Sequence, residues 1–328
     1  MNAYIRSIGA YVPEKRISND ELAKTLDTSD EWIRSHTGIG ARHIIADDQV
    51  TSDLAVEASL KAIERAGIEK EEIDLVITAT ASGDYPGFPA TASIVQYKLG
   101  LPKRTGAFDL SAGCTGFVYG LQTARSLIAG GGLRNILLIG VEALSRITNW
   151  QDRDTCVLFG DGAGAAIVSA AEDENGPGIL DALLRSDGSG GEYLMRRAGG
   201  AKQPIDASTP REHTCIEMNG RRVYNFAVKV NTEIINELLE RNSLSFDDLR
   251  WVVPHQANER IIQAAANRLG YPVDKFYMNL QEYANTSAAS IPIALNEIYE
   301  KELVQSGDYL LLVGFGAGLS YGGNIVRW

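Results

Sequence analysis

Short runs of apolar, β-branched residues alternate with longer amphipathic segments along this chain, and no other feature narrows its possible folds as far. Residues 53–66 place apolar side chains at helical spacing, Leu75-Val76-Ile77-Thr78-Ala79 reads as a buried strand, and 92–99 is helical again. Ala107-Phe108-Asp109-Leu110 then leads to a glycine-flanked cysteine, and 117–128 reads as helix. Gly130-Gly131-Gly132 stops that helix, and Ile136-Leu137-Leu138-Ile139 is the next buried strand. Glycine at that stop is what a helix C-terminus favours. Strand runs interleaved with helices predict an α/β fold.

The plan then returns. Arg250-Trp251-Val252-Val253 mirrors 75–79, and Tyr309-Leu310-Leu311-Leu312-Val313-Gly314 mirrors 136–140. Gly160-Asp161-Gly162-Ala163-Gly164 and Gly314-Phe315-Gly316-Ala317-Gly318 are each read as a glycine-rich turn, and each runs on into a final strand. A period of about 150 residues is longer than a solenoid repeat and points to an internal duplication. The 328 residues are expected to divide into halves 1–172 and 173–328, near 172–178, where acidic residues, glycine and proline interrupt the pattern. Residues 186–211, rich in Gly, Pro and polar side chains, read as a long surface excursion, functional or mobile.

Charge and cysteine content close off several classes. With 31 Lys+Arg against 42 Asp+Glu the net charge is -11, and no basic cluster exceeds a dipeptide, which argues against nucleic acid or an anionic membrane as partner. No window approaches the roughly 18 consecutive apolar residues of a membrane span, and the start lacks a basic stretch followed by an apolar one. A soluble, cytoplasmic protein is the expectation. Cys114, Cys156 and Cys215 are odd in number and lack CxxC spacing, so neither a disulfide framework nor a metal site is expected.

Four segments could carry chemistry. In Asp109-Leu110-Ser111-Ala112-Gly113-Cys114-Thr115-Gly116-Phe117 a strand turns sharply into a helix, which puts the thiol at a helix N-terminus where the thiolate is favoured. An inert buried cysteine is an equal reading. In Val252-Val253-Pro254-His255-Gln256-Ala257-Asn258 a histidine follows the carboxyl end of a buried strand, the edge where ligands of α/β sheets sit. A structural, hydrogen-bonding histidine competes with that reading. Asn285 lies in a polar turn before small residues that can open a helix, so it is either an N-cap or a neutral amide donor. The sequon Asn285-Thr286-Ser287 is taken as accidental. The glycines of 314–318 allow backbone N–H groups to approach a ligand, as an oxyanion hole requires. Dinucleotide binding fits poorly, because both glycine runs lead into strands rather than helices.

Taken together, these segments resemble β-ketoacyl-acyl-carrier-protein synthase III, the initiating condensing enzymes of bacterial type II fatty-acid synthesis. The likeness also takes in Trp32-Ile33, Thr37-Gly38-Ile39 and Phe159-Gly160-Asp161-Gly162-Ala163-Gly164-Ala165, and spans essentially the whole chain. It implies a thiolase-type fold of two duplicated α/β halves with central mixed sheets, layered α-β-α-β-α, the first half carrying Cys114 and the second His255 and Asn285. It implies that Cys114 takes an acyl group from acyl-CoA, acetyl-CoA above others, with the backbone of Cys114, Gly316 and Ala317 as oxyanion hole. His255 and Asn285 would then assist decarboxylation of malonyl-acyl carrier protein, and no metal or bound cofactor is needed. Elongating relatives carry a second His, and thiolases a second Cys, where this chain has Asn285. Condensing enzymes of secondary metabolism, including those like chalcone synthase, share the Cys, His, Asn set and remain the alternative. A cysteine thioesterase and a non-catalytic binding protein are more distant.

The same resemblance places CoA against Thr28, Trp32, Thr37, Arg153, Gly220, Tyr224, Ala257 and Asn258, with the adenine between indole and guanidinium. It places carrier-protein docking at Gln256, Ala257, Asn258, Glu259, Arg260 and Arg268. Phe88 and Phe315 would line acyl pockets, Phe88 that of the partner in a homodimer. His36, Asn225 and Asn267 depart from basic residues common in the family. Those contacts would shift to Arg221 and Arg222, and the acyl donor, CoA or another carrier, stays open.

Overall fold

Each β-branched run becomes a strand in one of two central sheets. The computed structural model describes residues 2–173 and 175–328; Glu174, inside the expected dividing stretch, and Met1 lie outside the described residues. Up to Ala171 the chain forms β1 (Asn2–Tyr11), β2 (Arg16–Ser18), β3 (Ala41–His43), β4 (Leu75–Ala79), β5 (Gly106–Leu110), β6 (Asn135–Glu142) and β7 (Gly162–Ala171). Its helices there are α1 (Asn19–Leu22), α2 (Asp30–Thr37), α3 (Thr51–Ala66), α4 (Thr91–Lys98), α5 (Gly116–Ala129) and α6 (Arg153–Cys156). From Gly178 it forms β8 (Gly178–Ser186), β9 (Leu194–Arg196), β10 (Ile216–Met218), β11 (Leu249–Pro254), β12 (Tyr309–Gly316) and β13 (Ser320–Arg327). The helices of this part are α7 (Gly220–Arg241), α8 (Glu259–Leu269), α9 (Leu280–Tyr283) and α10 (Ser290–Glu300).

The two sheets share one plan. The first runs β1-β7-β6-β4-β5 and the second β8-β13-β12-β11. β4 pairs in parallel with β6, as β11 does with β12, and the remaining shared neighbours are antiparallel. The runs that mirror one another in sequence therefore occupy equivalent strands. The position that β5 fills in the first sheet shrinks, in the second, to a single parallel bridge between Val252 and Phe276. Helices α3 and α4 cover the outer face of the first sheet, α7 covers that of the second with α8 packed on it, and α5 and α10 lie between the sheets and touch both. This is the expected α-β-α-β-α layering.

The middle layer needs apolar side chains all round. In α5, Phe117, Val118, Leu121, Ala124 and Ile128 are fully buried, and each of the larger ones contributes about 1.5–3 kcal/mol through burial. Strands β6 and β7 are buried on both faces for the same reason, which is why their runs show no polar alternation.

Two expectations change. Gly314 and Gly316 do not form a turn after a strand; they belong to β12, paired with Gly322 and Ser320, and the hairpin turn is confined to 317–319. The 186–211 excursion is not simply a surface loop. It contains a 3-10 turn at Gly188–Tyr193 and strand β9, paired with β10, and it delivers Leu194 to the wall of an internal cavity.

Gly140, in β6, faces the turn that precedes α10. A Cβ there would lie 2.2 Å from the carbonyl oxygen of Ala288. Gly140→Ala is expected to lower stability by about 1–3 kcal/mol through overpacking, read as a shift in the urea midpoint; an unchanged midpoint would contradict this packing.

Candidate active site

Cys114 sits where β5 gives way to α5, inside the 3-10 turn Gly113–Thr115. Thr115 anchors that turn, its hydroxyl lying 2.6 Å from the carbonyl of Ala112 and 2.8 Å from Ser320 Oγ at the start of β13. Gly316, at the end of β12, presses directly on the cysteine: a Cβ on it would lie 2.6 Å from the Cys114 nitrogen. Only glycine allows this approach, and it brings the 316–317 backbone beside the thiol.

A thiol softened by the helix N-terminus is not what results. Burial pushes the Cys114 thiol up to about 12, the Ser287 hydroxyl pulls the other way, and the charge of Glu142 adds to the rise. At this buried position desolvation is the largest influence, and it favours the thiol as the resting group.

His255 follows β11 directly, its backbone N–H donating to the carbonyl of Val313 at 2.8 Å and so extending the parallel ladder by one residue. The ring is buried, edge-on to Phe315 with centroids 5.3 Å apart. Its Nδ1 lies 2.8 Å from Ser290 Oγ, which already accepts the N–H of Gln256. Among the described residues Nδ1 is the one acceptor bonded to the Ser290 hydroxyl, and the tautomer that satisfies that buried proton carries the ring proton on Nε2. Burial depresses the imidazole to about 3, so it is neutral at physiological pH.

Asn285 is fixed through its backbone, donating to Leu158 O at 2.9 Å and accepting from Gly160 N at 3.0 Å. Its Oδ1 accepts the N–H of Ser287 at 2.9 Å, which leaves the amide NH2 as the free donor. Ala284 and Ser287, on either side, both adopt positive φ, 57° and 47°. Such strain in non-glycine residues concentrates where surrounding contacts hold a site in shape.

Cys114, His255 and Asn285 meet in one cavity of about 120 Å³. Phe315 and Gly316 also line it, and Gly220, Tyr224, Ala257 and Asn258 line it as well. Two walls come from residues that the motifs did not single out, Leu194 and Met218.

Trp32 and Arg153 lie together, with the guanidinium 4.8 Å from the ring centroid and also donating to Asp27 O. His36 stacks on the same indole at 4.4 Å. An adenine between Trp32 and Arg153 therefore requires the arginine to swing away. The hydroxyl of Thr28 is buried without a partner among the described residues. Asn258 uses its side chain as N-cap of α8 and as a tie to His36 O.

Two expected contacts are corrected. Thr37 is buried, with its hydroxyl donating to Ile33 O and accepting from Ile39 N, so it closes a helix rather than facing a ligand. Gln256 is buried too, its amide bonded to Pro254 O, Tyr277 O and Asn279 N, and it does not lie on a docking face. Arg260 and Arg268 are exposed on α8, Arg221 and Arg222 at the start of α7, and Asn225 and Asn267 are exposed on the same two helices. Glu259 is half-buried and holds Gln263. Phe88, 86% exposed, does not line this cavity and lies in the loop before α4.

Glu142 was not among the candidates. It ends β6 fully buried and accepts from Thr80 Oγ1, Ala81 N, Ser82 Oγ and Ser287 Oγ. A carboxylate closing an otherwise apolar strand was the signal.

Residues 108–188 match the model of 3-oxoacyl-[acyl-carrier-protein] synthase III and residues 239–328 that of its C-terminal part. The chain is 50% identical to a β-ketoacyl-[acyl-carrier-protein] synthase III of Caldanaerobacter subterraneus subsp. tengcongensis, covering 99% of this chain and 98% of that one. It is 51% identical to one of Fusobacterium nucleatum subsp. nucleatum, again with 99% and 98% covered. The crystal structure of the Thermus thermophilus synthase III superposes with a TM-score of 0.91 at 42% identity, covering 99% of both chains. A chain matched along its whole length at this identity, with the same layered fold, belongs to the 3-oxoacyl-[acyl-carrier-protein] synthase III family of acyl-transferring condensing enzymes.

Proposed function

We propose that this protein initiates fatty-acid synthesis by condensing an acyl-CoA primer, acetyl-CoA first among them, with malonyl-acyl carrier protein. The observation that carries the reading is the convergence of Cys114, neutral His255 and the free amide of Asn285 on one small cavity. Sulfur of Cys114 attacks the thioester carbonyl, the C–S bond to CoA breaks, and the acyl group stays on the enzyme. The oxyanion formed on the way is met by backbone N–H groups of Cys114, Gly316 and Ala317, where β12 passes into its hairpin turn. Malonyl-acyl carrier protein then loses carbon dioxide, and Nε2–H of His255 and the Asn285 amide hold the enolate oxygen. Both are neutral donors, so they stabilise the enolate without quenching its carbon by proton transfer. The carbanion attacks the acyl-cysteine and releases 3-oxoacyl-acyl carrier protein.

CoA would reach the thiol past Gly220, Tyr224, Ala257 and Asn258, with its adenine end at Trp32, Arg153 and the unpartnered Thr28 hydroxyl. Arg221, Arg222, Arg260 and Arg268 form no ion pair among the described residues, and we assign them, with Ala257, Asn258 and Glu259 beside them, to docking of an acidic carrier protein. The nucleophile belongs to half 1–172 and its two donors to half 173–328. We read the enzyme as a cytoplasmic homodimer. Strand β5 is an open sheet edge, Tyr85, Phe88 and Tyr97 are exposed near it, and a concavity of about 710 Å³ opens alongside. Phe88 would enter the partner's acyl pocket from there.

His255→Ala and Asn285→Ala should each leave acylation of Cys114 by acyl-CoA within a few-fold of normal, while carbon dioxide release from malonyl-acyl carrier protein falls by about 100-fold or more. Equal loss of both steps would contradict the assigned roles. Arg260→Glu combined with Arg268→Glu should raise KM for malonyl-acyl carrier protein by about tenfold and leave acylation by acyl-CoA unchanged, since rim charges contribute about 0.5–1 kcal/mol each. An unchanged KM would move the docking face elsewhere.

A further inference from the structure

The Cys114 thiol is buried, and among the described residues no base hydrogen-bonds to it, yet its proton must leave when sulfur attacks. The imidazole of His255 is bonded through Nδ1 to Ser290, and the tautomer that satisfies the Ser290 hydroxyl proton puts the ring proton on Nε2. The turn opened by Ser287, by contrast, packs against the turn bearing Cys114; the Ser287 hydroxyl pulls the thiol pKa down and donates to Glu142 Oε1 at 3.0 Å. A hydroxyl has one proton and can serve these two neighbours in two ways. Either it accepts from the thiol and donates to the carboxylate, or it donates to a thiolate and accepts from a protonated carboxyl. The two arrangements differ by one proton moved from sulfur to Glu142.

We propose that Glu142 receives the Cys114 proton through Ser287 during acylation and holds it for as long as the acyl group remains on the enzyme. This rests on the acyl-transfer reading of Cys114. The thiol proton passes to Ser287 Oγ as the Ser287 proton passes to Glu142. The S–C bond to the acyl group forms, the C–S bond to CoA breaks, and the departing CoA sulfur takes a proton from water. When condensation expels Cys114 as a thiolate, Glu142 returns the stored proton by the same path. One proton from solvent is consumed per turnover, as the overall reaction requires.

The surroundings of Glu142 suit the task. The hydroxyls of Thr80 and Ser82 accept the N–H groups of Ser82 and Ala143, so their own protons are free to point at the carboxylate. Among the described residues no Lys, Arg or His hydrogen-bonds to Glu142, and its charge acts on Cys114. Burial lifts the carboxyl from 4.5 to about 7, so it can take and return a proton near neutrality. Parking the proton there also removes one negative charge from the pocket before the malonyl carboxylate arrives.

The simpler alternative is that Glu142 only repels the thiolate, and alkylation of Cys114 by iodoacetamide separates the two. This assay needs neither acyl-CoA nor carrier protein, so it can fail independently of the condensing assignment. With the relay, the wild-type rate falls as pH drops through about 7, because a protonated Glu142 cannot accept, and at pH 6 it is about tenfold below its plateau. Glu142→Gln and Ser287→Ala should each be slower than wild type at pH 7.5 by about tenfold or more and should lose that limb of the profile. Ser287→Ala keeps the other three donors on Glu142, so it remains informative if Glu142→Gln does not fold. Repulsion alone gives the opposite sign: removing the charge makes the thiol more reactive, and a faster Glu142→Gln overturns the proposal. Difference infrared spectra on forming the acyl-enzyme should show a new protonated-carboxyl band that is absent from Glu142→Gln; its absence from wild type also overturns it.

Discussion

Everything at this site depends on how closely two helix starts and one hairpin can be pressed together between the sheets. The turn bearing Cys114 begins α5, the turn bearing Ser287 precedes α10, and Gly316 closes the third side against the cysteine backbone. The equivalence of the two sheets makes this possible, since it sends α5 and α10 into the same middle layer with their N-terminal turns adjacent. Small residues line the contact. Gly140 meets Ala288, Gly116 meets Ala79 and Ala288, and a single methyl added at either glycine would force the turns apart.

That closeness also buries the reacting groups, and burial sets their chemistry. Desolvation keeps Cys114 a thiol, His255 an uncharged imidazole and Glu142 a carboxyl poised near neutrality, in each case disfavouring the charged form. A neutral histidine donating from Nε2 is what an enolate oxygen needs. A buried thiol needs a route for its proton, and the chain of hydroxyl and carboxylate beside it offers one. Polar groups around this pocket are largely satisfied by one another, so their positions are fixed before any substrate arrives.

Much of this could be read from the residues alone. The strand runs at 75–79, 136–139 and 309–314 sit where their β-branched residues put them, and their mirrored order anticipated the paired sheets. Cys114, His255 and Asn285 were each legible as the residue after a strand or before a helix. What local pattern could not convey was depth. A helix N-terminus suggests a lowered thiol pKa, but burial by segments distant in sequence reverses it. Thr37 and Gln256 look like exposed polar contacts in their motifs and are instead consumed by internal hydrogen bonds. Glu142 acquires its meaning from Ser287, 145 residues away along the chain. The 186–211 excursion, read as surface, supplies Leu194 to the cavity because β9 finds its partner in β10.

The central claim is that one cysteine carries the acyl group between two carriers. Intact-protein mass spectrometry tests it most directly, after mixing with a panel of acyl-CoAs and again after adding malonyl-acyl carrier protein. The account predicts an acyl mass on Cys114, strongest for short primers, discharged by malonyl-acyl carrier protein as a 3-oxoacyl-carrier product. An acyl mass lost only by hydrolysis, or none formed from any acyl-CoA, would contradict it.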